Sequence, residues 1–240
     1  MKLLVPAAGN GTRFRVHGVM TPKPLIRFSF HGRGPKEMVR WAVDEAAGMD
    51  IEFLIKQEDA TLWAQRRLQP RVIGESTRGQ AHTIYCALEM GIVDDNEPFM
   101  VVNSDVHLLY PFQKFVNLAH DIDCSAALVV TKADQAKEGK QFSFVDQLGH
   151  FNHAVEKEEW MSPWAITGHY WFKSPEVFMG AYKRQIGVFP EKEPQISETF
   201  NQIRGEKYAH FVPRHRFTDF GTYEKLTTNP NVTNIEMENS

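Results

Sequence analysis

An α/β fold built on a mixed, mostly parallel central sheet flanked by helices is what this 240-residue sequence predicts, and three observations carry the prediction. Short apolar, strand-like runs alternate with helix-like segments through about residue 105, the signature of βαβ units. A glycine-bearing turn follows the first run and an aspartate follows a later one, where open α/β sheets place their chemistry. Apolar content supports a packed core: adding 16 Gly to the 42% hydrophobic class and removing 6 Tyr gives roughly 46%, a globular value that excludes disorder as the main state.

Taken in order, Leu3–Ala7 reads as a buried strand, Lys36–Gly48 as a helix ended by Gly48, and Ile51–Lys56 as a strand. Thr77–Met90 reads as a helix stopped by Gly91, and Phe99–Val102 as another short apolar strand. Beyond Asp105 the rhythm changes. Pro111–His120 looks helical, while Asp123–Thr131, Gln141–Val145, Phe151–Val155 and Ile166–Phe172 look like strands that bring in antiparallel pairs. Helices near Pro175–Gln185 and Gln195–Arg204 and a last strand near Tyr208–Val212 complete the pattern. We expect one domain over residues 1–226, with a first half to about 110 and a second from 111. The polar tail 227–240 is expected to fray.

Charge and cysteine content narrow the partners. Lys+Arg 27 against Asp+Glu 30 leaves a formal charge of −3, so no basic excess exists to neutralise a run of phosphates, and nucleic acid is not expected as the main partner. The apolar start Met1–Val5 is too short for a signal-peptide core or a membrane span, so a soluble, cytoplasmic protein is expected. Cys86 and Cys124 lack a Cys-x-x-Cys spacing and read as buried thiols. The ten histidines form neither His-x-x-x-His nor Glu-x-x-His, so zinc is not expected, and His107 reads as a surface residue near Asp105.

Chemistry concentrates in a few segments. In Ala7-Ala8-Gly9-Asn10-Gly11-Thr12-Arg13 two glycines permit positive φ and close backbone approach to an anion, and Arg13 adds a guanidinium fork. It is neither a Walker A loop nor a six-residue Rossmann turn, and a tight structural turn accounts for it when it is taken alone. Ten residues on, Lys23 is fenced by Pro22 and Pro24, whose stiff backbone holds its ammonium in place. Arg13 and Lys23 converging on one glycine loop point to a triphosphate; an ordinary surface lysine is the plainer alternative. Asp105 and Asp219, 114 residues apart, each follow an apolar strand and precede a small or turn-forming residue. They read either as caps or as two hard carboxylates for Mg²⁺. Glu156 and Lys157 read as a solvated charged edge or as acceptor ligands, and Gly79 with Gln80 as a helix cap or as the backbone under a base. The aromatics Trp160, Trp164, Tyr170, Trp171 and Phe172 read chiefly as core.

Val5–Phe14 followed by Thr21-Pro-Lys-Pro-Leu-Ile26 resembles the opening signature of the sugar-phosphate nucleotidylyltransferases. Downstream, Thr77–Thr83 resembles that family's Gly-x-Ala nucleotide-binding stretch, and Asn103-Ser104-Asp105 its metal aspartate at a strand end. Ala154–Lys157 resembles its Glu-Lys acceptor element, Thr167–Trp171 the next acceptor strand, and Phe217–Thr222 its second metal aspartate. Order is kept from residue 3 to about 226, and the middle segments look nearest to the short, single-domain, capsule-associated branch. The resemblance implies a Rossmann-like nucleotide-diphospho-sugar transferase (GT-A-like) fold. It implies catalytic Arg13 and Lys23, nucleotide contacts from Ala7, Ala8, Gly9, Asn10, Gly11, Thr12, Gly79, Gln80 and Ser104, and acceptor contacts from Glu156, Lys157, Thr167 and Gly168. Asp105 and Asp219 would carry Mg²⁺. The expected partners are an NTP, with UTP, CTP and dTTP not distinguished, and a phosphorylated small-molecule acceptor; a homo-oligomer stays open.

Departures limit the transfer. Gly74-Glu75 stands where many relatives carry Gln, which leaves the base unnamed, and Glu158 replaces the Pro expected after Glu-Lys. The insert Val16–Met20 is expected to cover the phosphates as a flap. The reaction expected is transfer of NMP from an NTP to a sugar 1-phosphate with release of pyrophosphate. Two competing readings remain: a GT-A-type glycosyltransferase that releases NDP, and a nucleotide-binding regulator without catalysis.

Overall fold

The computed structural model describes residues 1–74, 77–133, 142–156 and 162–237. Its strands in chain order are β1 (Lys2–Pro6), β2 (Arg27–Phe30), β3 (Arg33–Glu37), β4 (Asp50–Lys56), β5 (Pro70–Gly74), β6 (Phe99–Val102), β7 (Val106–Leu108) and β8 (Ala126–Lys132). They continue with β9 (Ser143–Val145), β10 (Gly149–His150), β11 (Ala154–Glu156), β12 (Trp164–Phe172), β13 (Lys207–Phe211), β14 (Phe217–Asp219) and β15 (Val232–Glu236). The helices are α1 (Thr12–Arg15), α2 (Met38–Ala42), α3 (Ala60–Gln65), α4 (Gln80–Glu89), α5 (Phe112–Asp121), α6 (Pro175–Val188), α7 (Ile196–Thr199) and α8 (Tyr223–Thr227).

The central sheet runs in the order β10-β13-β8-β12-β6-β1-β4-β5, with the β9–β11 hairpin attached to β12. β6, β1, β4 and β5 are mutually parallel, as are β8 and β13, while β12 runs antiparallel to both of its neighbours. Because side chains alternate across a strand, β1 sends Leu3 and Val5 to one face and Leu4 to the other. Phe112, Phe115 and Val116 of α5 and Trp63 of α3 cover the first face. Ile84 and Leu88 of α4 and Phe178 and Tyr182 of α6 cover the second. A strand buried on both faces must be apolar throughout, which is why Phe99-Met-Val-Val102 reads as a continuous run.

Three expectations are corrected. The helix expected over Lys36–Gly48 is only α2; Lys36 and Glu37 belong instead to the β2–β3 hairpin, facing Phe28 and Arg27. His31 and Gly32 turn that hairpin at φ 50° and 72°, the paired positive angles of a tight two-residue turn. Asp44 then pins the hairpin through Arg33 and through Lys36 at 2.8 Å. The frayed tail is also wrong for residues 232–236: β15 pairs antiparallel with β2, and Val232, Ile235 and Met237 pack on the cluster of Phe28, Phe30 and Trp41. Cys86, finally, is half-buried, whereas Cys124 is buried as expected.

Candidate active site

Two of the parallel strands end in one cleft. The turn leaving β1 carries Ala7 to Gly11, with Gly11 left-handed at φ 61° immediately before α1. Lys23 follows between its prolines in a single 3-10 turn, which fixes the backbone that carries its ammonium. A cavity of about 450 Å³ is lined by Ala7, Ala8, Gly9, Asn10, Gly11, Lys23, Gly79, Gln80 and Ser104. A second, of about 770 Å³, shares Gly9, Gly11, Lys23 and Gln80 with it and adds Thr12, Arg13, Asp105, Glu156, Thr167, Gly168 and Asp219. The structure therefore brings together every described residue singled out in the sequence as a site candidate. Lys157, with Glu75, Glu158 and Trp160, lies outside the described residues.

At the junction of the two cavities Lys23 Nζ donates to Asp105 Oδ2 at 2.6 Å. Burial raises the Asp105 pKa, but Lys23, and behind it Arg13, lower it more, so this carboxyl is held below the usual carboxylate range. β14 pairs antiparallel with β7 and sets Asp219 opposite Val106, while Phe220 N donates to the Asp105 carbonyl at 2.8 Å. Those bonds bring the two aspartates together at one place in the cleft.

Gly221 lies between the two carboxylates. A Cβ there would stand 2.7 Å from Asp219 Oδ1 and 3.1 Å from Asp105 Oδ2, which bounds the separation of the two oxygens at about 5.8 Å. Gly221 N–H donates to Asp219 Oδ1 at 2.6 Å, and the other Asp219 oxygen accepts from Lys225 Nζ. Two hard carboxylates around a gap that a methyl group would fill suit a divalent ion completed by water and phosphate oxygens.

On one wall of the larger cavity, Glu156 Oε2 accepts from Ser143 Oγ and from Ser197 Oγ, the latter at 2.6 Å. Gly168, at φ 81°, is required where β12 presses on β6: an added Cβ would lie 2.7 Å from Asn103 Nδ2. Asn103 N–H donates to the Gly168 carbonyl at 2.9 Å, which locks the segment before Asp105 onto β12. Thr167 turns its hydroxyl into the sheet, donating to the Val129 carbonyl at 3.0 Å. Along the smaller cavity, α4 starts at Gln80, and Gly79, at φ 142°, lets Glu193 and Pro194 approach within 3 Å of where a Cβ would be.

Sequence reasoning missed Lys225, Asn103 and Glu193, all of which line these cavities. Thr222 was the usable signal for Lys225: its hydroxyl caps α8 by accepting from Lys225 N at 3.2 Å, and Thr followed by a short helix is legible in sequence. His107 was misplaced. It is buried beside Phe30, with ring centroids 5.1 Å apart, and burial pushes its pKa down to about 4. Of the aromatics, Tyr170 lines the larger cavity, while Trp171 and Phe172 are core. The insert Val16–Met20 is anchored by buried Val19 and leaves Val16 and Met20 exposed. Among the described residues, no helix is long and apolar enough to cross a membrane.

Comparison with known proteins gives a consistent pattern. A family model described as "Nucleotidyl transferase" matches residues 3–233. The chain is 24% identical over 220 residues to the mannose-1-phosphate guanylyltransferase catalytic subunit beta of Danio rerio, covering 87% of this chain and 58% of that protein. It is 27% identical over 208 residues to the mannose-1-phosphate guanyltransferase of Emericella nidulans, covering 82% of this chain and 56% of that one. The chain thus spans less than three fifths of the length of these curated relatives. Among solved structures, the nucleoside-diphosphate-sugar pyrophosphorylase of Vibrio cholerae RC9 superposes with a TM-score of 0.75 at 20% identity, over 94% of this chain and 98% of that one. A UDP-glucose pyrophosphorylase complexed with UDP-glucose gives 0.67 at 19%, over 93% and 94%. At these identities the structural likeness speaks for the fold.

Proposed function

The chain belongs to the nucleotidyl transferase family, and from that premise we propose that it transfers NMP from an NTP to a sugar 1-phosphate, releasing pyrophosphate. The observation that carries the reading is the meeting of Asp105 and Asp219 around Gly221, with Lys23 on one of them and Arg13 lining the same cavity. The names of the curated relatives, sugar-1-phosphate guanylyltransferases, support the same reaction type.

In this reading an oxygen of the acceptor phosphate attacks the α-phosphorus of the NTP in line. The new P–O bond forms as the bond to the β-phosphate bridge breaks, and pyrophosphate leaves with that electron pair. The acceptor is already anionic, so no side chain has to remove a proton; positioning and charge compensation carry the rate. The turn Ala8–Gly11 offers backbone N–H groups to the triphosphate, Arg13 and Lys23 compensate charge that builds on the phosphates, and Gly79 with Gln80 lines the smaller cavity, where the nucleoside would sit. Glu156, steadied by two serines, accepts from acceptor hydroxyls, with the Thr167–Gly168 bulge lining the same cavity. Asp105 and Asp219 would hold a divalent ion such as Mg²⁺, which would supply charge neutralisation for the phosphates that must approach.

A panel of NTPs against sugar 1-phosphates, read by pyrophosphate release with Mg²⁺ and then with EDTA, tests the proposal. Pyrophosphate that appears only with both substrates and stops on chelation is expected. Release of NDP from an NDP-sugar in its place would overturn the reading in favour of glycosyl transfer.

A further inference from the structure

Lys225 has no part in the reaction as described, yet its ammonium is paired to one of the two central carboxylates. It lies on α8, six residues after Asp219, with its Nζ on Asp219 Oδ2. Its helix is well anchored: Thr222 caps it, and Tyr223 stacks on His17 with ring centroids 4.3 Å apart. The ammonium also stands 4.7 Å from the centre of the Phe142 ring, so a second attraction keeps it on the cleft side when Asp219 is engaged elsewhere.

The two lysines divide the cleft. Lys23 lines both cavities and pairs with Asp105, whereas Lys225 lines only the larger one, which runs from Arg13 to Glu156 and Gly168. Each carboxylate proposed for the metal therefore carries one ammonium. A divalent ion taken up by the two carboxylates would release both ammoniums, each beside the cavity it lines. For Lys23 that neighbour is the triphosphate; for Lys225 it is the acceptor's phosphate, a dianion that must be brought against another polyanion.

We propose that Lys225 is a further phosphate-binding residue, held on Asp219 in the metal-free protein and transferred to the phosphate of the acceptor when a divalent ion takes that carboxylate. This rests on the reaction proposed above. It gives two effects of opposite sign when the charge is removed: the metal loses a competitor, and the acceptor loses a ligand.

The test uses Lys225→Met, which keeps the stem against Phe142, and Lys225→Arg, which keeps the charge. Mn²⁺ alone is titrated into each full-length protein without substrate, with the free ion followed by electron paramagnetic resonance. Lys225→Met is expected to bind Mn²⁺ about 3- to 10-fold more tightly than wild type, from loss of one competing unit charge at contact distance. Its KM for the sugar 1-phosphate is expected to rise on the order of 10- to 100-fold, the usual effect of losing a charged hydrogen bond. KM for the NTP is expected to move by less than about threefold, and Lys225→Arg to restore most of the acceptor KM. Unchanged or weaker Mn²⁺ binding in Lys225→Met, or an equal rise in both KM values, overturns the proposal. Wild type that releases no pyrophosphate with any acceptor refutes the reaction itself, whereas wild-type turnover with an unmoved Lys225→Met refutes only this role.

Discussion

Replacing Gly221 by Ala adds one methyl group at the centre of the site and tests its geometry directly. Gly221 is not among the glycines with positive φ, so the backbone accepts alanine without strain. The added Cβ would stand 2.7 Å from Asp219 Oδ1, against 3.4 Å or more for an ordinary contact, so that oxygen must retreat by about 0.7 Å. It has little freedom to do so, because the Gly221 N–H and, through the other oxygen, Lys225 hold the carboxylate. Asp105 Oδ2, at 3.1 Å, is crowded as well. A misplacement near 1 Å at a reacting centre costs on the order of 10²-fold in rate, so kcat/KM for pyrophosphate release should fall by about that factor. Mn²⁺ affinity should fall with it, while the unfolding free energy moves by about 1 kcal/mol, an ordinary value for a point mutation. Gly34→Ala, where a Cβ would meet nothing within 4 Å, serves as the control and should leave both unchanged. A Gly221→Ala protein within threefold of wild type in turnover and Mn²⁺ binding would show that the two carboxylates do not share a ligand.

Lys23→Ala should lower the pyrophosphate-release rate by roughly 10²- to 10³-fold, the usual loss for one electrostatic contact to a transferring group; an unchanged rate would return Lys23 to a surface role. Stability should also depend on His169, which is fully buried and whose pKa burial pushes down to about 3. Its pKa is lower folded than unfolded, so this contribution is complete above about pH 6.5 and is lost as pH falls toward 3. Between pH 7.5 and 5, wild type should lose about 2 kcal/mol more in urea denaturation than His169→Gln; parallel pH profiles would contradict this. Truncation after Thr227 removes β15 and uncovers the Phe28–Trp41 cluster. It should cost about 2 kcal/mol or more of unfolding free energy, and an unaltered urea midpoint would show that the strand contributes nothing.

The glycine turn after β1 and the aspartate after β6 were legible because both follow uninterrupted apolar runs at strand ends, where sequence order and spatial position coincide. The β2–β3 hairpin was not, since His31-Gly32 lacks the Asn-Gly or Asp-Gly composition that marks such turns, and Val39, Ala42 and Ala46 mimic a longer helical stripe. β15 was read as a frayed tail because it is an edge strand half in solvent, with polar residues interleaved between Val232 and Ile235. Lys225 and Glu193 escaped for another reason. Their importance comes from what lies across the cleft, and no local pattern records a neighbour supplied by a distant segment.

The hydrogen-bonded ladder between β6 and β12 has a mechanical consequence. Val102 opposes His169, and Asn103 N–H reaches the Gly168 carbonyl, so the wall that carries Ser104 and Asp105 and the wall that carries Thr167 and Gly168 are adjacent rungs of one structure. Such a floor cannot close like a clamshell. In the reaction proposed above the two walls hold the two substrates, so the span between them is a ruler cut into the backbone, and substrate preference drifts through the surrounding loops without resetting the distance over which the bond must form.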